Sequence, residues 1–354
     1  MSDDVTLEEV GGWPAVLGRL IGGGHLTAAE AAAALGDVLA GNATPAQISA
    51  FIVALRIKGE TTDELAGLVR AMVDAAVPVH AAGDVVDTCG TGGDRSQSIN
   101  ISTMAAFVVA GAGATVCKHG GRAASSAAGS ADVLEALGVV IDLGPEGVER
   151  CLAEAGIGFC FAPRFHPAMR YALPVRRELG VPTVFNFLGP LANPARARRQ
   201  VVGVSDPAMA EKMIGVLRAG GAERALVVYG HDGLDELTTT TTSTVLDYDA
   251  SQGEIRTYVV DPAELGLAAA KLEELRGADA ATNAELARRV LAGDPGPHLD
   301  VVMLNASAGL VAAGLAADLM VGLQVADDSI RSGRALAALE RLAAVSQAAA
   351  ATSD

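Results

Sequence analysis

The pattern of apolar and polar residues changes near residue 80 of this 354-residue chain. Before that point, apolar residues recur every three or four positions, which is typical of amphipathic helices. The pattern predicts four helices over residues 5–79. Thr27-Ala-Ala-Glu30 has the residue spacing of a capping box, and Thr44-Pro45 and Thr61-Thr-Asp-Glu64 predict the starts of the next two helices. No strand pattern interrupts this stretch, so the sequence predicts a small all-helical region.

From Asp84 onward, short apolar runs alternate with helical patterns. The predicted strands cover residues 85–87, 115–118, 158–161, 200–204 and 225–229, and the helices between them include 126–137, 146–155 and 207–219. Such alternation indicates an α/β region with a largely parallel sheet flanked by helices. Five threonines at 238–242 suit a further strand. Residues 280–346 are predicted to be helical, and the alanine-rich tail after Ser346 is expected to fray.

One basic segment interrupts this alternation. Residues 166–182 have a helical pattern, carry Arg170, Arg176 and Arg177, and end at Gly180-Val-Pro182. Because the segment fits neither the strands nor their connecting helices, we expect it to pack back onto the N-terminal helices.

A glycine-rich stretch follows the first predicted strand. It runs Asp87-Thr-Cys-Gly-Thr-Gly-Gly-Asp94, with Asn100-Ile-Ser-Thr103 close behind. Its three glycines remove the side chains that would keep a ligand away from backbone N–H groups. Asn100 suits the N-cap of the apolar helix that follows, and free N–H groups at a helix start form an anion site. A lone glycine turn is usually only a tight turn, but this strand–turn–helix unit favours a bound phosphate.

A second glycine-rich loop, Lys118-His-Gly-Gly-Arg122, follows the second predicted strand. Because parallel strands end at one edge of the sheet, this loop should lie beside the first. Lys118 and Arg122 can pair with phosphate or pyrophosphate, and the hydroxyls of Ser125 and Ser126 can donate to the same oxygens. The alternative is a solvated basic loop with a helix cap. His119 alone is a weak signal, since it could equally be a structural histidine.

The stretch Gly230-His-Asp-Gly-Leu-Asp-Glu236 follows the fifth predicted strand. Adjacent carboxylates at a strand end are often only the polar surface of a turn. However, Mg²⁺ typically takes one or two carboxylates plus the phosphates of a substrate, and Asp235, Glu236 and the Ser102 hydroxyl meet that need. His231 has no second histidine or cysteine at metal-binding spacing, so a zinc site is not expected.

A fourth region combines the basic segment with Asn186-Phe-Leu-Gly-Pro-Leu-Ala-Asn193. Pro163, Met169 and Phe187 could line an apolar slot, with Arg176 binding a carboxylate at its end. From the residues alone, this interpretation is little better than that of a charged helix face.

Composition excludes several classes of protein. Half of the residues are apolar, and no apolar run is long enough to predict a membrane span. The net charge of −16, from 26 basic and 42 acidic residues, disfavours nucleic acid or an anionic membrane as the partner. The acidic N-terminus predicts no secretory signal. The cysteines form no CxxC pair and are expected to be reduced thiols in the cytoplasm: Cys89, Cys117, Cys151 and Cys160.

Together, these motifs resemble the anthranilate phosphoribosyltransferase family over nearly the whole chain. The residues that carry the resemblance are Cys89–Asp94, Asn100–Thr103, Lys118-His-Gly120, Ser130–Gly138, Phe161–Pro167, Val175–Gly180, Phe185–Leu191 and Asp232–Glu236. The resemblance implies a cytoplasmic homodimer whose fold is shared with pyrimidine nucleoside phosphorylases. Residues 1–80 and about 164–184 would form a small helical domain, and residues 81–163 and 185–354 a larger α/β domain.

The resemblance also implies the reaction. The 5-phosphoribosyl group of phosphoribosyl pyrophosphate would pass to the amine of anthranilate, with release of pyrophosphate, in tryptophan biosynthesis. Electrostatic catalysis would come from Lys118, Asp235 and Glu236, with no general base assigned. Mg²⁺ would bind Ser102, Asp235 and Glu236. The residues expected to bind the donor are Gly90, Gly93, Asp94, Ser98, Asn100, Ile101, Ser102, Thr103, Lys118, Arg122, Ser125 and Ser126. Those expected to bind the acceptor are Gly90, His119, Gly121, Pro163, Met169 and Arg176.

One departure from the family pattern concerns the acceptor. The family has Lys-His-Gly-Asn-Arg at the second loop, whereas this chain has Gly121 in place of the asparagine. This leaves open a phosphoribosyltransferase for another aromatic amine acid. Two alternatives are more remote. One is a nucleoside phosphorylase, which would need phosphate but no Mg²⁺-binding pair such as Asp235-Glu236, and the other is a non-catalytic sensor of a phosphate ligand.

Overall fold

The N-terminal region is helical, as its pattern predicts. The structure is a computed structural model that describes residues 5–94, 96–123 and 127–352. Its first helices are α1 (Gly12–Ile21), α2 (Ala28–Leu39), α3 (Pro45–Lys58) and α4 (Thr62–Asp74). Helices α2, α3 and α4 each begin with a capping box, in which Thr27, Thr44 or Thr61 exchanges hydrogen bonds with the residue three positions later. These caps confirm the predicted helix starts.

The rest of the chain forms one seven-stranded sheet covered by helices. The strands are β1 (Val86–Gly90), β2 (Val116–Gly120), β3 (Ile157–Phe161), β4 (Arg199–Gly203), β5 (Arg224–Gly230), β6 (Ser243–Asp249) and β7 (Ile255–Val260). The helices are α5 (Ile101–Gly111), α6 (Ser130–Ala136), α7 (Pro145–Ala155), α8 (Ala162–Phe165), α9 (Leu173–Leu179), α10 (Phe185–Leu188), α11 (Pro207–Ala219), α12 (Ala280–Leu291), α13 (Pro297–Ala313), α14 (Leu319–Arg331) and α15 (Arg334–Ala350).

The order of the strands creates a crevice between β1 and β4. The order is β3-β2-β1-β4-β5-β6-β7, with parallel pairing from β3 to β5 and antiparallel pairing beyond. The chain moves outward from β1 to β3 on one side and from β4 to β7 on the other. Ligands of open α/β sheets bind at the carboxyl ends of the strands where the order reverses in this way. Gly90 and Gly203 lie opposite each other at that point.

The basic segment packs back on the N-terminal helices. Residues 167–171 form a 3₁₀ turn, and α9 follows it. Ala172 and Val175 belong to the same apolar cluster as Leu35 and Ile52 of the N-terminal helices. That cluster continues onto one face of the sheet through Val202, so the helical region shares a core with the α/β region. The domain boundaries at residues 80, 163 and 184 stay a prediction.

Two expectations about the C-terminal half are wrong. Residues 238–242 are not a strand, because the hydroxyls of Thr238 and Thr240 bond the Asp232 carboxylate and turn the segment back on itself; the strand begins at Ser243. The tail does not fray at Ser346 either. Helix α15 runs to Ala350, and Ala349 packs in the core.

Candidate active site

The glycine turn after β1 is fixed across the crevice. Gly92 and Gly93 have φ angles of 65° and 81°, which side chains disfavour. The Thr91 N–H donates to the Gly203 carbonyl at 2.9 Å, and the Ser205 hydroxyl donates to the Gly92 carbonyl at 2.8 Å. The turn is therefore held between the ends of β1 and β4.

In this structure the glycine turn already holds an anion, the carboxylate of Asp235. The Gly92 N–H donates to Asp235 Oδ2 at 2.7 Å. A Cβ atom at Gly90 would lie 2.2 Å from the same oxygen, and one at Gly203 would lie 1.7 Å from the Asp235 carbonyl. Glycine is required at both positions because the loop that carries Asp235 and Glu236 lies directly on the two strand ends.

Asp235 and Glu236 are buried carboxylates that lie close to each other and to Asp94. Each is 9% exposed. Burial, together with the nearby charge of Asp94, raises the pKa of Asp235 to about 7. Burial and the charge of Asp235 raise the pKa of Glu236 to about 8, although Lys118 and the Ser102 hydroxyl oppose that shift. A cation bound beside the pair would favour the ionised form of both carboxylates.

Lys118 brings a positive charge to this cluster from β2. Val86 pairs with Val116, so Lys118 lies level with Thr88 on the neighbouring strand. Its ammonium group donates to the Thr88 carbonyl and, at 3.3 Å, to the Ser102 hydroxyl at the start of α5. The side chain is only 3% exposed. The structure thus brings together Lys118, Ser102, Asp235 and Glu236, as predicted from their strand ends.

The donor atoms of this cluster fit Mg²⁺. Asp94, Asp235, Glu236 and Ser102 offer only oxygen atoms, which are the ligands that Mg²⁺ prefers. Asp94 Oδ2 is buried and has no hydrogen-bond partner in the structure. Within the described ranges, no three acidic, histidine or cysteine side chains form a ready-made metal cage. That finding is expected for Mg²⁺, which usually combines one or two carboxylates with phosphate oxygens and water.

The other predicted donor residues are partly engaged elsewhere. Asn100 occupies the N-cap position of α5, but its side chain does not cap the helix: it donates to the Ala128 carbonyl and accepts from Asn283. The Thr103 hydroxyl donates to Ser130 Oγ at 2.9 Å. Ile101 is buried at the first turn of α5, and the backbone of Ser98 forms an isolated antiparallel β-bridge with that of Arg276.

Arg122 does not face an open phosphate site in this structure. Its guanidinium donates to Asp132 at 2.7 Å and to Glu135 at 2.5 Å. These two carboxylates lie on α6, so a bound phosphate would have to replace them. Ser125 and Ser126, which the sequence also assigns to the donor, lie outside the described residues.

His119 is one of the residues predicted to bind the acceptor, and it lies on β2 next to Lys118. Its Nδ1 lies 3.1 Å from the Gly189 carbonyl, which accepts only, so Nδ1 carries the proton. Nε2 is buried without a hydrogen-bond partner. Burial and the adjacent His166 ring, 5.0 Å away between centroids, lower the pKa of His119 to about 3. His119 is therefore neutral and offers a bare nitrogen that accepts hydrogen bonds.

Arg176 is the predicted carboxylate-binding residue on α9. Its guanidinium lies over the Phe185 ring, 5.1 Å from the centroid, and burial lowers its pKa. No carboxylate lies within ion-pair distance of it among the described residues. Pro163 opens α8 and Met169 lies in the 3₁₀ turn beside the helical core. Nothing lies within 4 Å of a Cβ built on Gly121, so the second loop has open space there.

Comparisons with known proteins agree with this arrangement. The family model described as "Glycosyl transferase family, helical bundle domain" matches residues 14–76, and that described as "Glycosyl transferase family, a/b domain" matches residues 82–336. An anthranilate phosphoribosyltransferase from Roseiflexus castenholzii is 55% identical over 93% of this chain and 96% of its own. The chain belongs to the anthranilate phosphoribosyltransferase family. Another anthranilate phosphoribosyltransferase, from a Nocardioides species, is 54% identical over 93% of this chain and 97% of its own.

Solved structures of anthranilate phosphoribosyltransferases share this fold. The enzyme from Thermus thermophilus is 44% identical, with a TM-score of 0.89 over 94% of this chain and 99% of its own. The Saccharomyces cerevisiae enzyme, in complex with PRPP and Mg, is 26% identical, with a TM-score of 0.86 over 95% of this chain and 98% of its own. The expected fold class, a small helical part with a larger α/β part, is confirmed.

One buried carboxylate beneath the site, that of Asp87, was not among the predicted site residues of this anthranilate phosphoribosyltransferase family member. Asp87 is fully buried and accepts from the His119 N–H at 3.2 Å and from Asn193 Nδ2 at 2.7 Å. Asn193 also donates to the Cys117 carbonyl at 2.8 Å. Burial raises the pKa of Asp87, and Lys118 opposes the shift. An acidic residue inside an apolar strand was the available signal, because such residues are rarely buried without a role.

The remaining structural expectations concern the cysteines and the membrane. All four cysteines are free and buried. Across the described ranges, no helix combines the length and apolar character that crossing a bilayer requires.

Proposed function

We propose that this protein transfers the 5-phosphoribosyl group of phosphoribosyl pyrophosphate to the amine of anthranilate and releases pyrophosphate, a step of tryptophan biosynthesis. The observation that carries the proposal is the convergence of the glycine turn, the start of α5, Lys118 and the buried carboxylates of Asp235 and Glu236 at the crevice of the sheet. Each part suits an anionic ligand that arrives with a cation. The names of relatives with 52–55% identity favour anthranilate over another aromatic amine as the acceptor.

In the proposed site, Asp235, Glu236 and the Ser102 hydroxyl hold Mg²⁺ together with oxygens of the donor. The bound Mg²⁺ would neutralise the pyrophosphate leaving group. Asp94 belongs beside these residues because its carboxylate adjoins Asp235. The Saccharomyces cerevisiae relative in complex with PRPP and Mg supports this assignment.

We propose that the donor lies along the glycine turn and the first turn of α5. The contacts we assign to it are those predicted above, from Gly90 to Thr103, with Lys118 on the pyrophosphate. Arg122 would join them only after releasing Asp132 and Glu135. Ser125 and Ser126 remain part of the proposed donor site.

Cleavage of the bond between C1 of ribose and pyrophosphate passes through an oxocarbenium-like state, as in glycoside cleavage. The main tasks of the protein are then to orient the two substrates and to stabilise charge on the leaving group. Lys118 supplies positive charge to that group. The neutral aromatic amine is itself a usable nucleophile, and after the C–N bond forms it loses a proton to water or to the departing pyrophosphate. His119, with its pKa lowered to about 3, is too weak a base to take that proton.

At the acceptor end, we assign Arg176 to the carboxylate of anthranilate. Its half-buried guanidinium has no ionic partner in the described part of the chain, so an anionic ligand would relieve the cost of burial. His119, Gly121, Pro163 and Met169 would line the rest of this slot. Gly121 keeps the acceptor preference the part of the proposal that most needs a direct test.

A fluorescence assay tests the proposal. Anthranilate fluorescence should decrease when the protein is mixed with phosphoribosyl pyrophosphate and Mg²⁺, and EDTA should stop the decrease. Absence of turnover with tight donor binding retained would contradict anthranilate transfer. A panel of substituted anthranilates then separates the two remaining alternatives. An enzyme for another aromatic acceptor would consume one of these compounds, whereas a non-catalytic sensor would consume none.

We also propose that the protein is a homodimer with the two domains predicted from its sequence. Ile21 on α1 and Ile57 on α3 are 77% and 83% exposed, and they lie on two helices that pack against each other, so we place the dimer interface on this pair of helices. Light scattering should give twice the chain mass of 35.7 kDa, and Ile57→Glu should shift it toward one chain. A wild-type protein of single-chain mass at micromolar concentration would contradict the dimer.

A further inference from the structure

The five threonines at 238–242 are part of a loop that precedes the strand at Ser243. The loop joins β5 to β6 over residues 231–242 and carries Asp235 and Glu236. This loop lies directly on the ends of β1 and β4, where the Gly92 N–H donates to Asp235 Oδ2 at 2.7 Å. Two anchors, each a set of hydrogen bonds, hold the backbone around the two carboxylates.

One anchor holds the peptide directly after Glu236. Asn305, in the middle of α13, accepts from the Leu237 N–H at 2.9 Å and donates to the Leu237 carbonyl at 2.8 Å. Its second N–H bonds the Val301 carbonyl of its own helix at 2.9 Å. The side-chain amide thus pairs with Leu237 as a neighbouring strand would, and all of its donors are used.

The second anchor joins the two ends of the loop, from Asp232 before the two carboxylates to Thr238 and Thr240 after them. The Asp232 carboxylate accepts from the Leu234 N–H at 3.1 Å, from the Thr238 hydroxyl at 2.8 Å and from the Thr240 hydroxyl. The Gly230 N–H also donates to the Leu234 carbonyl at 2.9 Å. Only Asp235 and Glu236 separate the residues that the two anchors fix.

We propose that Asn305 is a positioning residue that, together with the Asp232–Thr240 anchor, fixes Asp235 and Glu236 for a divalent cation and its pyrophosphate. The inference rests on the proposed function, because the cation is the Mg²⁺ assigned there. Packing against apolar neighbours does not explain why residue 305 is an asparagine. Asn305 is 3% exposed among apolar neighbours of α13 such as Leu304 and Ala308, and burial of a polar side chain is unfavourable unless its hydrogen bonds are needed. The hydrogen bonds of the Asn305 amide are needed by the N–H and carbonyl groups of Leu237.

Metal affinity measured without turnover tests this role. Free Mn²⁺, which shares the oxygen preference of Mg²⁺, is followed by its EPR signal during titration with protein in the presence of inorganic pyrophosphate. Asn305→Asp keeps the acceptor for the Leu237 N–H and removes both donors. Because loss of a residue that orients metal ligands typically costs 10–100-fold, we expect its Mn²⁺ affinity to fall by about 10-fold or more. Ser307→Ala, which removes a buried hydrogen bond to Leu304 on the same helix, is the matched control and should stay near the wild-type affinity.

A second pair of variants covers the case in which Asn305→Asp does not fold. Thr240→Val removes one hydroxyl from the Asp232 anchor at nearly constant volume and should also weaken Mn²⁺ binding. Thr242→Val makes the same change two residues along, where the hydroxyl contacts His231 instead, and should not. Thermal unfolding checks that each variant is folded, and the KM for anthranilate should stay unchanged in all of them.

The outcomes separate the inference from the proposed function. Wild-type Mn²⁺ affinity in folded Asn305→Asp or in Thr240→Val, or equal weakening in the matched controls, would overturn the positioning role. A wild-type protein that binds Mn²⁺ with pyrophosphate but consumes no anthranilate would overturn the proposed function and leave the positioning role intact.

Discussion

Two regions of the molecule bury acidic side chains, with opposite consequences. In the helical region, Glu64 is fully buried but accepts from the Lys58 ammonium at 2.8 Å and from the N–H groups of Leu26 and Thr61. Burial alone would raise the pKa of Glu64, yet these partners outweigh burial and the pKa is lowered. At the crevice, Asp235 accepts from the Gly92 N–H, but burial and the neighbouring charge of Asp94 outweigh that bond, and the pKa of Asp235 rises to about 7.

The difference separates a structural charge from a functional one. A buried carboxylate with all its hydrogen bonds made supports the fold without needing anything else. A buried carboxylate that repels its neighbours is unfavourable in the free protein and becomes favourable only when a cation binds. The comparison therefore predicts that the first region controls stability and the second controls activity.

The largest expected effect is on activity. Asp235→Asn combined with Glu236→Gln removes the proposed cation ligands while keeping shape, so kcat/KM for phosphoribosyl pyrophosphate should fall by at least about 10³-fold, or about 4 kcal/mol. The fluorescence assay measures this. Activity of the double variant within tenfold of wild type would contradict the claim that the crevice carboxylates control activity.

The next effect is on stability. Glu64→Gln leaves the Lys58 ammonium buried without its carboxylate, and the free energy of unfolding should fall by about 3–5 kcal/mol. Urea denaturation followed by circular dichroism measures it, and the activity of the folded fraction should be unchanged. Glu64→Gln with Lys58→Met should recover part of the loss, because no unpaired charge remains. A loss of donor affinity in Glu64→Gln would contradict its purely structural role.

Lys118→Ala tests the one ammonium group that contacts Ser102 in the cluster. Removal of a buried charged partner of a ligand typically costs about 2–5 kcal/mol, so the KM for phosphoribosyl pyrophosphate should rise by about 30-fold or more. The free energy of unfolding should change by less than this. Steady-state kinetics and urea denaturation of the same samples provide the two values. Normal donor affinity would reject the assignment of Lys118 to the pyrophosphate.

The smallest effect is expected at the acceptor end. Gly121 does not have a left-handed φ and has open space around it, so Gly121→Asn should change the free energy of unfolding by only about 0.5 kcal/mol. An added amide that hydrogen-bonds the acceptor is worth about 1 kcal/mol, so the KM for anthranilate should fall several-fold. Competition among substituted anthranilates measures the accompanying change in preference. An unchanged KM and preference would mean that position 121 does not reach the acceptor.

Local patterns predict much of this fold and bring the candidate site into view. The capping threonines of the N-terminal helices act through neighbours in the sequence, whereas the glycine turn and the Asp235-Glu236 pair are recognisable from residue type and spacing although their contacts are long-range. The threonines at 238–242 were misread because β propensity gave way to hydrogen bonds from the Asp232 carboxylate. Tertiary contacts routinely override propensity in this way.

The parts that escaped prediction depend on contacts between distant residues. Asn305 lies 68 positions from the peptide that it holds, and although its apolar neighbours in α13 indicate that it is buried, they do not show which peptide it bonds. The approach of Asp94 to Asp235 likewise follows from the order of β1, β4 and β5. Arg122 has the composition of a phosphate ligand but is paired with Asp132, because α6 happens to present carboxylates to it.

The difference between the two buried regions also has a pH dependence with a definite sign. Asp235 and Glu236 have raised pKa values, about 7 and 8, so their contribution to stability is complete below about pH 4 and is lost as the pH rises through those values. Between pH 5 and pH 8, ligand-free wild type should therefore lose about 3 kcal/mol or more of unfolding free energy relative to the double variant Asp235→Asn, Glu236→Gln.

Urea denaturation of these two proteins at pH 8, with and without Mg²⁺ plus phosphoribosyl pyrophosphate, tests the central claim most directly. We predict that the ligand-free double variant is the more stable protein, and that the ligands stabilise wild type by about 2.7 kcal/mol at a hundredfold excess over Kd while leaving the double variant unchanged. A ligand-free wild type that is the more stable of the two, or equal stabilisation of both proteins by the ligands, would contradict the claim that these carboxylates are reserved for a cation.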